Sequence, residues 1–267
     1  MPDILYKNLN VHYSDTGSGK TLVFLHGFLE DSRMWNKVSI PLKKNFRVVC
    51  IDLLGHGKTQ NLGYIHSMED QAKMVVFLLN SLEIEEFSLI GHSMGGYISL
   101  AIADLFPGRV DKLCLMNSTA LADTEEKKIN RDRGIAAVKQ NYKTFVRLAI
   151  PNLFSEENRT VFSTEIKEVT EQALEMSAQG IIASLEGMKV RPERKNILSR
   201  ASLPVLMIIG KQDPALDYNS LTDQAKYKNV TPIIFEDGHM SHIENELDLA
   251  AAFLNWFSNN VPQSYAG

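Results

Sequence analysis

Short apolar runs alternate with helix-patterned segments along most of this 267-residue chain, and that alternation restricts it to a mostly parallel sheet flanked by helices. Ile4 to Tyr13 reads as a strand or hairpin. Thr21–Leu25, Arg47–Asp52, Phe87–Ile90 and Lys112–Met116 are short runs of the kind that suits strands buried on both faces. Helical periodicity separates them at Met34–Lys44, at Glu69–Leu82 with Ser67 and Asp70 as a capping signal, and at Gly96–Phe106, stopped by Pro107 and Gly108. After Asn117 the pattern changes: Thr124 to Arg200 is helix-like without a convincing strand. Strand signals return at Pro204–Gly210 and Pro232–Phe235, and a closing helix over Glu246–Asn259 brings Leu249, Ala252, Phe253 and Trp256 onto one face.

The helical stretch interrupts the sheet instead of extending it. The expected division is a core of residues 1–118 and 200–267, with a cap over residues 119–199 lying across the carboxyl ends of the strands, where open α/β sheets place ligands. Phe145, Leu148, Leu153, Phe154 and Met188 are the cap residues that could face a pocket, although apolar helix positions more often serve packing. A 44% hydrophobic composition supports one large core. The net charge of -4 comes from interspersed acidic and basic residues, which argues against nucleic acid or an anionic membrane as partner and leaves a small molecule. Cys50 and Cys114 sit in apolar runs and read as reduced core residues. The first residues resemble no signal peptide and no apolar stretch is long enough to span a bilayer, so the expectation is a cytoplasmic protein, monomeric or homodimeric.

Gly91-His92-Ser93-Met94-Gly95 is the segment that carries chemistry. This G-x-S-x-G sequence falls where an apolar run ends and a helical pattern begins, the context in which a strained turn pushes a serine hydroxyl clear of the sheet. The flanking residues must be small because strand and helix pass close together, and Gly91 and Gly95 satisfy that. A serine hydroxyl is a weak nucleophile and needs a base, with an acid to orient it. In the expected chain order of Ser, acid, His, the acid is Asp213, directly after a strand, with Asp217 second because it belongs to the following helix. His239 and His242 both follow the last strand. His239, next to Gly238, is favoured as base; His242 is assigned to the pocket or its surroundings. Oxyanion donors are expected from the amides of Met94 and of Phe28, where His26-Gly27-Phe28 turns sharply. His26, Gly27 and His92 flank these donors and the serine, and with Phe145, Leu148, Phe154 and His242 they complete the candidate substrate-binding set. No combination of His, Cys and carboxylate has convincing metal-ligand spacing, and no phosphate-loop pattern occurs, so neither metal nor cofactor is expected.

His26-Gly27-Phe28, Asp52-Leu53-Leu54-Gly55-His56-Gly57, Gly91 to Gly96, Gly210-Lys211-Gln212-Asp213, and Gly238-His239 with Glu244 together resemble the α/β-hydrolase fold superfamily over nearly the whole chain. The resemblance implies an eight-stranded sheet, a helical cap inserted after the sixth strand, a Ser93, Asp213 and His239 triad, and oxyanion donors at Phe28 and Met94; it also decides between the two histidines in favour of His239. Leu54 departs from the proline of many relatives. Within the superfamily the chain is similar to the small lidded group of carboxylesterases, enol-lactonases, carbon-carbon bond hydrolases and the menaquinone-pathway synthase, and the segments Arg131–Ile135 and Arg191–Arg194 resemble those of lactonase-like and uncharacterised hydrolase members. The expected activity is cleavage of a carboxylic ester or lactone through an acyl-enzyme. The alternatives are carbon-carbon cleavage or elimination at the same residues and, in another class, a non-catalytic ligand receptor.

Overall fold

Eight strands form a single sheet in the order β1-β2-β4-β3-β5-β6-β7-β8, and only the first pairings are antiparallel. A computed structural model describes residues 3–258. The strands are β1 (Asp3–Tyr6), β2 (Leu9–Thr16), β3 (Lys20–Leu25), β4 (Phe46–Ile51), β5 (Phe87–His92), β6 (Val110–Met116), β7 (Val205–Gly210) and β8 (Val230–Phe235). From β4 onward the ladder is parallel, and β5 and β7 are buried at every position, as strands covered on both faces must be. Register puts Leu25 opposite Gly91, Gly91 opposite Leu115 and Met116 opposite Ile208. The carboxyl ends of β3, β5, β6 and β7 therefore share one lip.

Alternation along each strand feeds two cores, one on each face. Val23, Leu25, Leu89, Leu113 and Met207 meet α1 (Met68–Ser81) and α2 (Met94–Leu105) on one side. Leu22, Phe24, Ile90, Cys114 and Leu206 meet Trp35, Val38 and the closing helix on the other. Both cysteines are free and buried. Ser67 caps α1 by accepting the Asp70 amide at 3.1 Å.

The continuous helix expected over residues 34–44 does not form. Two 3₁₀ turns, Ser32–Trp35 and Leu42–Lys44, take its place. Pro41 has no amide to offer the Lys37 carbonyl, which instead accepts from Ile40 in a tighter bond of 3.1 Å. The apolar spacing survives: Trp35, Val38 and Leu42 are all fully buried against the sheet.

Between β6 and β7 lie α3 (Glu125–Ala149), α4 (Asn158–Val161), α5 (Ser163–Ala173), α6 (Ala178–Lys189) and α7 (Lys195–Leu198), with α3 broken by a non-helical Asn141. The two ends of this insertion are fastened to each other by one buried carboxylate. Asp123 binds Arg131 Nε at 2.8 Å and Arg191 Nη1 at 2.7 Å, and the Arg191 guanidinium sits 4.0 Å from the centre of the Tyr97 ring on α2. Burial alone would raise the Asp123 pKa, but the two guanidinium groups hold it below the usual carboxylate range. Of the arginines in the segments noted in the sequence, Arg131 thus braces the insertion itself and Arg191 joins it to the core through Tyr97.

After β7 come α8 (Tyr218–Gln224), α9 (Ser241–Glu244) and α10 (Glu246–Ser258). Leu249, Phe253 and Phe257 form the buried face of α10, while Trp256 is only half-buried; the expected end at Asn259 lies outside the described residues.

Candidate active site

Ser93 links the last residue of β5 to the first of α2 with φ 49° and ψ -110°, a left-handed conformation that costs a non-glycine residue about 1 to 3 kcal/mol. Its surroundings hold it there. The Ser93 amide donates to the Met116 carbonyl at 2.9 Å, and Ser118 Oγ donates to the Ser93 carbonyl at 2.8 Å. A Cβ on Gly91 would run into the Gly95 carbonyl, and one on Gly95 into the carbonyl of Leu25, so only glycine lets strand and helix pass at this separation. Leu29 (φ 64°) and Asn117 (φ 45°), also left-handed, stand at the ends of neighbouring strands.

Asp213, just beyond β7, is wholly buried and saturated with donors. Its Oδ1 accepts from the amides of Ala215 (2.8 Å) and Leu216 (3.1 Å), and its Oδ2 accepts from Asn117 Nδ2 (3.1 Å) and faces His239 Nδ1 at 2.7 Å. Burial pushes the carboxyl upward, yet His239 and the donors outweigh it and the Asp213 pKa is lowered. An ionised carboxylate only accepts, so Nδ1 carries a proton, and Nε2 is the nitrogen left to accept in the neutral ring. The backbone of His239 is fixed by a 2.9 Å bond from its amide to the Leu153 carbonyl. Asp217, the second choice for the acid, caps α8 by accepting the Ser220 amide at 2.8 Å.

Ser93 and His239 share the wall of a cavity of about 630 Å³, which Phe28 and Met188 also line. That volume suits a small molecule. The Met94 amide opens α2, where first-turn donors have no intrahelical acceptor, and the positive end of the helix dipole lies beside the serine. Of the insertion residues expected to face a pocket, Phe145 and Leu153 join Met188 at this cavity. Two do not. Leu148 is 64% exposed and borders a separate depression, because it points off the outer face of α3, and Phe154 is fully buried, packed beside Phe162. His26 is likewise a framework residue: its Nε2 accepts the Leu53 amide at 2.9 Å and its Nδ1 meets the Gly27 carbonyl at 2.7 Å, fastening the turn that carries Phe28 to the end of β4. Gly27 brings its amide within 2.9 Å of Glu30 Oε2. His242 faces a second cavity.

Glu30 was not apparent in the sequence, which placed His92 and His242 in the substrate-binding set without this partner. His92 also lines the main cavity, yet its Nδ1 lies 2.6 Å from Glu30 Oε2 and its Nε2 2.9 Å from the His239 carbonyl. Both neighbours only accept, so both ring nitrogens carry protons. Burial opposes that charge, but Glu30 overcomes it and raises the His92 pKa; burial likewise pushes Glu30 up, and His92 outweighs it, holding Glu30 at about 2. The pair joins the Phe28 turn, the serine elbow and the histidine loop. Asn117 is a second unforeseen tie, donating from Nδ2 to the Gly238 carbonyl at 3.1 Å and accepting Ser241 Oγ at 2.7 Å. Its position at the end of β6 was the available signal. Glu244 accepts the amides of Ser155 and Met240, each at 3.0 Å, and so links the insertion to the histidine loop.

A family model described as the alpha/beta hydrolase fold matches residues 20–246. An uncharacterised Mycobacterium tuberculosis protein is 36% identical over 102 residues, which span 38% of this chain and only 30% of that protein. A 2-hydroxy-6-oxononadienedioate/2-hydroxy-6-oxononatrienedioate hydrolase of Paraburkholderia phymatum is 40% identical over 114 residues, 40% of each chain. Among solved structures, a thermophilic esterase from Thermogutta terrifontis superposes with a TM-score of 0.90 at 27% identity, covering 96% of this chain and 97% of the other. The chain belongs to the α/β-hydrolase fold family, and its sheet follows that fold. No helix among the described residues is long and apolar enough to cross a membrane.

Proposed function

We propose that this protein is a serine hydrolase that cleaves a carboxylic ester or lactone of a small molecule through an acyl-enzyme. The observation that carries the reading is the 2.7 Å contact between Asp213 and His239, in a histidine that shares its cavity wall with the strained Ser93. In this mechanism His239 Nε2 takes the Ser93 proton as the hydroxyl attacks the carbonyl, and Asp213 stabilises the imidazolium that forms. The amides of Phe28 and Met94 receive the oxyanion, each worth a few kcal/mol of barrier. The proton then returns to the leaving oxygen, and water, deprotonated by the same histidine, releases the acid. Residues 119–199 serve as a cap over this cavity, with residues 1–118 and 200–267 as the core.

The likeness to the Paraburkholderia phymatum hydrolase favours a second reading, hydrolysis of a carbon-carbon bond at the same residues. A panel of esters, lactones, thioesters and vinylogous diketones, run with wild type and Ser93→Ala, separates the two. Turnover of an ester or lactone, loss of that turnover in Ser93→Ala, and an acyl adduct on Ser93 by mass spectrometry support the first. Turnover confined to diketones supports the second. Ligand binding without turnover of any of them, unchanged by Ser93→Ala, would instead identify a receptor.

A further inference from the structure

Beside the proposed triad, Glu30, His92 and His242 bring a carboxylate and two imidazoles together, with one candidate ligand atom from each lying within 4.8 Å of the others. All three residues are buried: their side chains are 3%, 1% and 4% exposed. Glu30 Oε1 lies 3.5 Å from His242 Nε2 and has no hydrogen-bond partner, nor has His242 Nδ1. A buried carboxylate oxygen left without a donor is costly and offers a bound donor or cation an acceptor.

We infer that Glu30, His92 and His242 form a binding site for a divalent transition metal of the zinc type, next to the triad. Imidazole and carboxylate are the donors such an ion takes, and three protein ligands leave one position open. Zinc bonds of about 2.0 to 2.1 Å in a tetrahedral site set ligand atoms about 3.3 Å apart. The Glu30 Oε1 to His242 Nε2 separation already fits. With Oε1 as the Glu30 ligand, the 2.6 Å bond between His92 Nδ1 and Glu30 Oε2 is given up as the metal replaces the proton on Nδ1, and that proton leaves to solvent.

Two further features suit the assignment. The next layer of bonds is built: the Gly27 amide donates to Glu30 Oε2, and His92 Nε2–H donates to the His239 carbonyl, the kind of outer contact that orients a metal-binding imidazole. A separate cavity of about 290 Å³ gives access. Glu30 and His242 line it, and Asp31, Glu165, Glu168 and Glu246 outnumber its cations, Arg33 and Lys37. Arg33 and Lys37 are engaged with Asp31 and Glu246, leaving a carboxylate surplus that draws a cation inward.

Because the ligands hold the Phe28 turn and the His239 loop, metal entry is expected to slow the hydrolysis proposed above; the binding itself does not depend on that reading. The test uses the full chain without a histidine tag, stripped by chelator and titrated with Co²⁺ and then Zn²⁺. Expected are one equivalent bound, visible Co²⁺ absorption bands displaced by Zn²⁺, and at least a tenfold weaker affinity in His242→Ala. X-ray absorption of the wild-type Zn²⁺ complex checks the ligands without any variant, with two imidazoles and oxygen expected in the first shell. Absence of a one-equivalent site, undiminished affinity in a folded His242→Ala, or a first shell holding sulfur or a single imidazole would each overturn the assignment. Stoichiometric binding without any change in ester turnover would sustain the site and remove only its effect on activity.

Discussion

Asp213→Asn tests the role of the buried carboxylate with almost no change of volume. The Ala215 and Leu216 amides can only donate, so the new amide keeps its oxygen toward them and turns its nitrogen to the position of Oδ2. That nitrogen then meets His239 Nδ1 at 2.7 Å and Asn117 Nδ2 at 3.1 Å. Being a donor, it forces Nδ1 to accept, and the ring proton moves to Nε2, the atom that takes the Ser93 proton in the proposed mechanism. The base is disabled by its tautomer while its position is retained. An acid-to-amide exchange of this kind in a triad lowers kcat about 10⁴-fold, or about 5 kcal/mol of barrier. The donor-to-donor contact with Asn117 adds an unfolding penalty of about 1 to 3 kcal/mol. Steady-state kinetics on a short p-nitrophenyl ester, with thermal unfolding of the same samples, measures both. A folded Asp213→Asn enzyme retaining a tenth of wild-type kcat would refute the tautomer argument.

Two predictions concern stability. Phe253→Ala removes a fully buried ring that packs on Phe24 and Phe257, and the cavity left is expected to cost about 3 to 5 kcal/mol, measured by urea unfolding; a loss below 1 kcal/mol would mean the second core closes over the gap. His66 is buried, and that burial depresses its pKa from 6.5 to about 4 despite backbone bonds that favour the charged form. The unfolded chain therefore binds the extra proton between these values, so the stabilisation is complete above about pH 6.5 and is lost as pH falls toward about 4, amounting to about 3 kcal/mol. His66→Gln should flatten that part of the stability curve, and an unchanged acid limb would contradict it.

Local rules made much of the fold legible. Ser67 and Asp70 announce α1, the strand-turn-helix context announces the bend at Ser93, and the change of period after Asn117 marks where helices interrupt the sheet. Local rules also misled. The Trp35, Val38 and Leu42 spacing reads as a helix, yet Pro41 breaks its hydrogen bonding while the side chains remain buried. Phe154 and Leu153 are neighbours of similar apolarity, and only packing against Phe162 decides that the first is interior and the second reaches the cavity.

Periodicity, turn chemistry and residue type are properties of neighbours along the chain, so the order of elements and the identity of Ser93, Asp213 and His239 as candidates could be read directly from it. Which of them meet is a matter of strand register and loop paths. The Asp213 and His239 contact spans 26 positions, and the Glu30 and His92 contact spans 62. Nothing in the residues around Glu30 distinguishes it from a solvated surface carboxylate. Only the folded sheet, by bringing the ends of β3 and β5 side by side and closing the histidine loop over them, buries it against two imidazoles and gives it a charge partner.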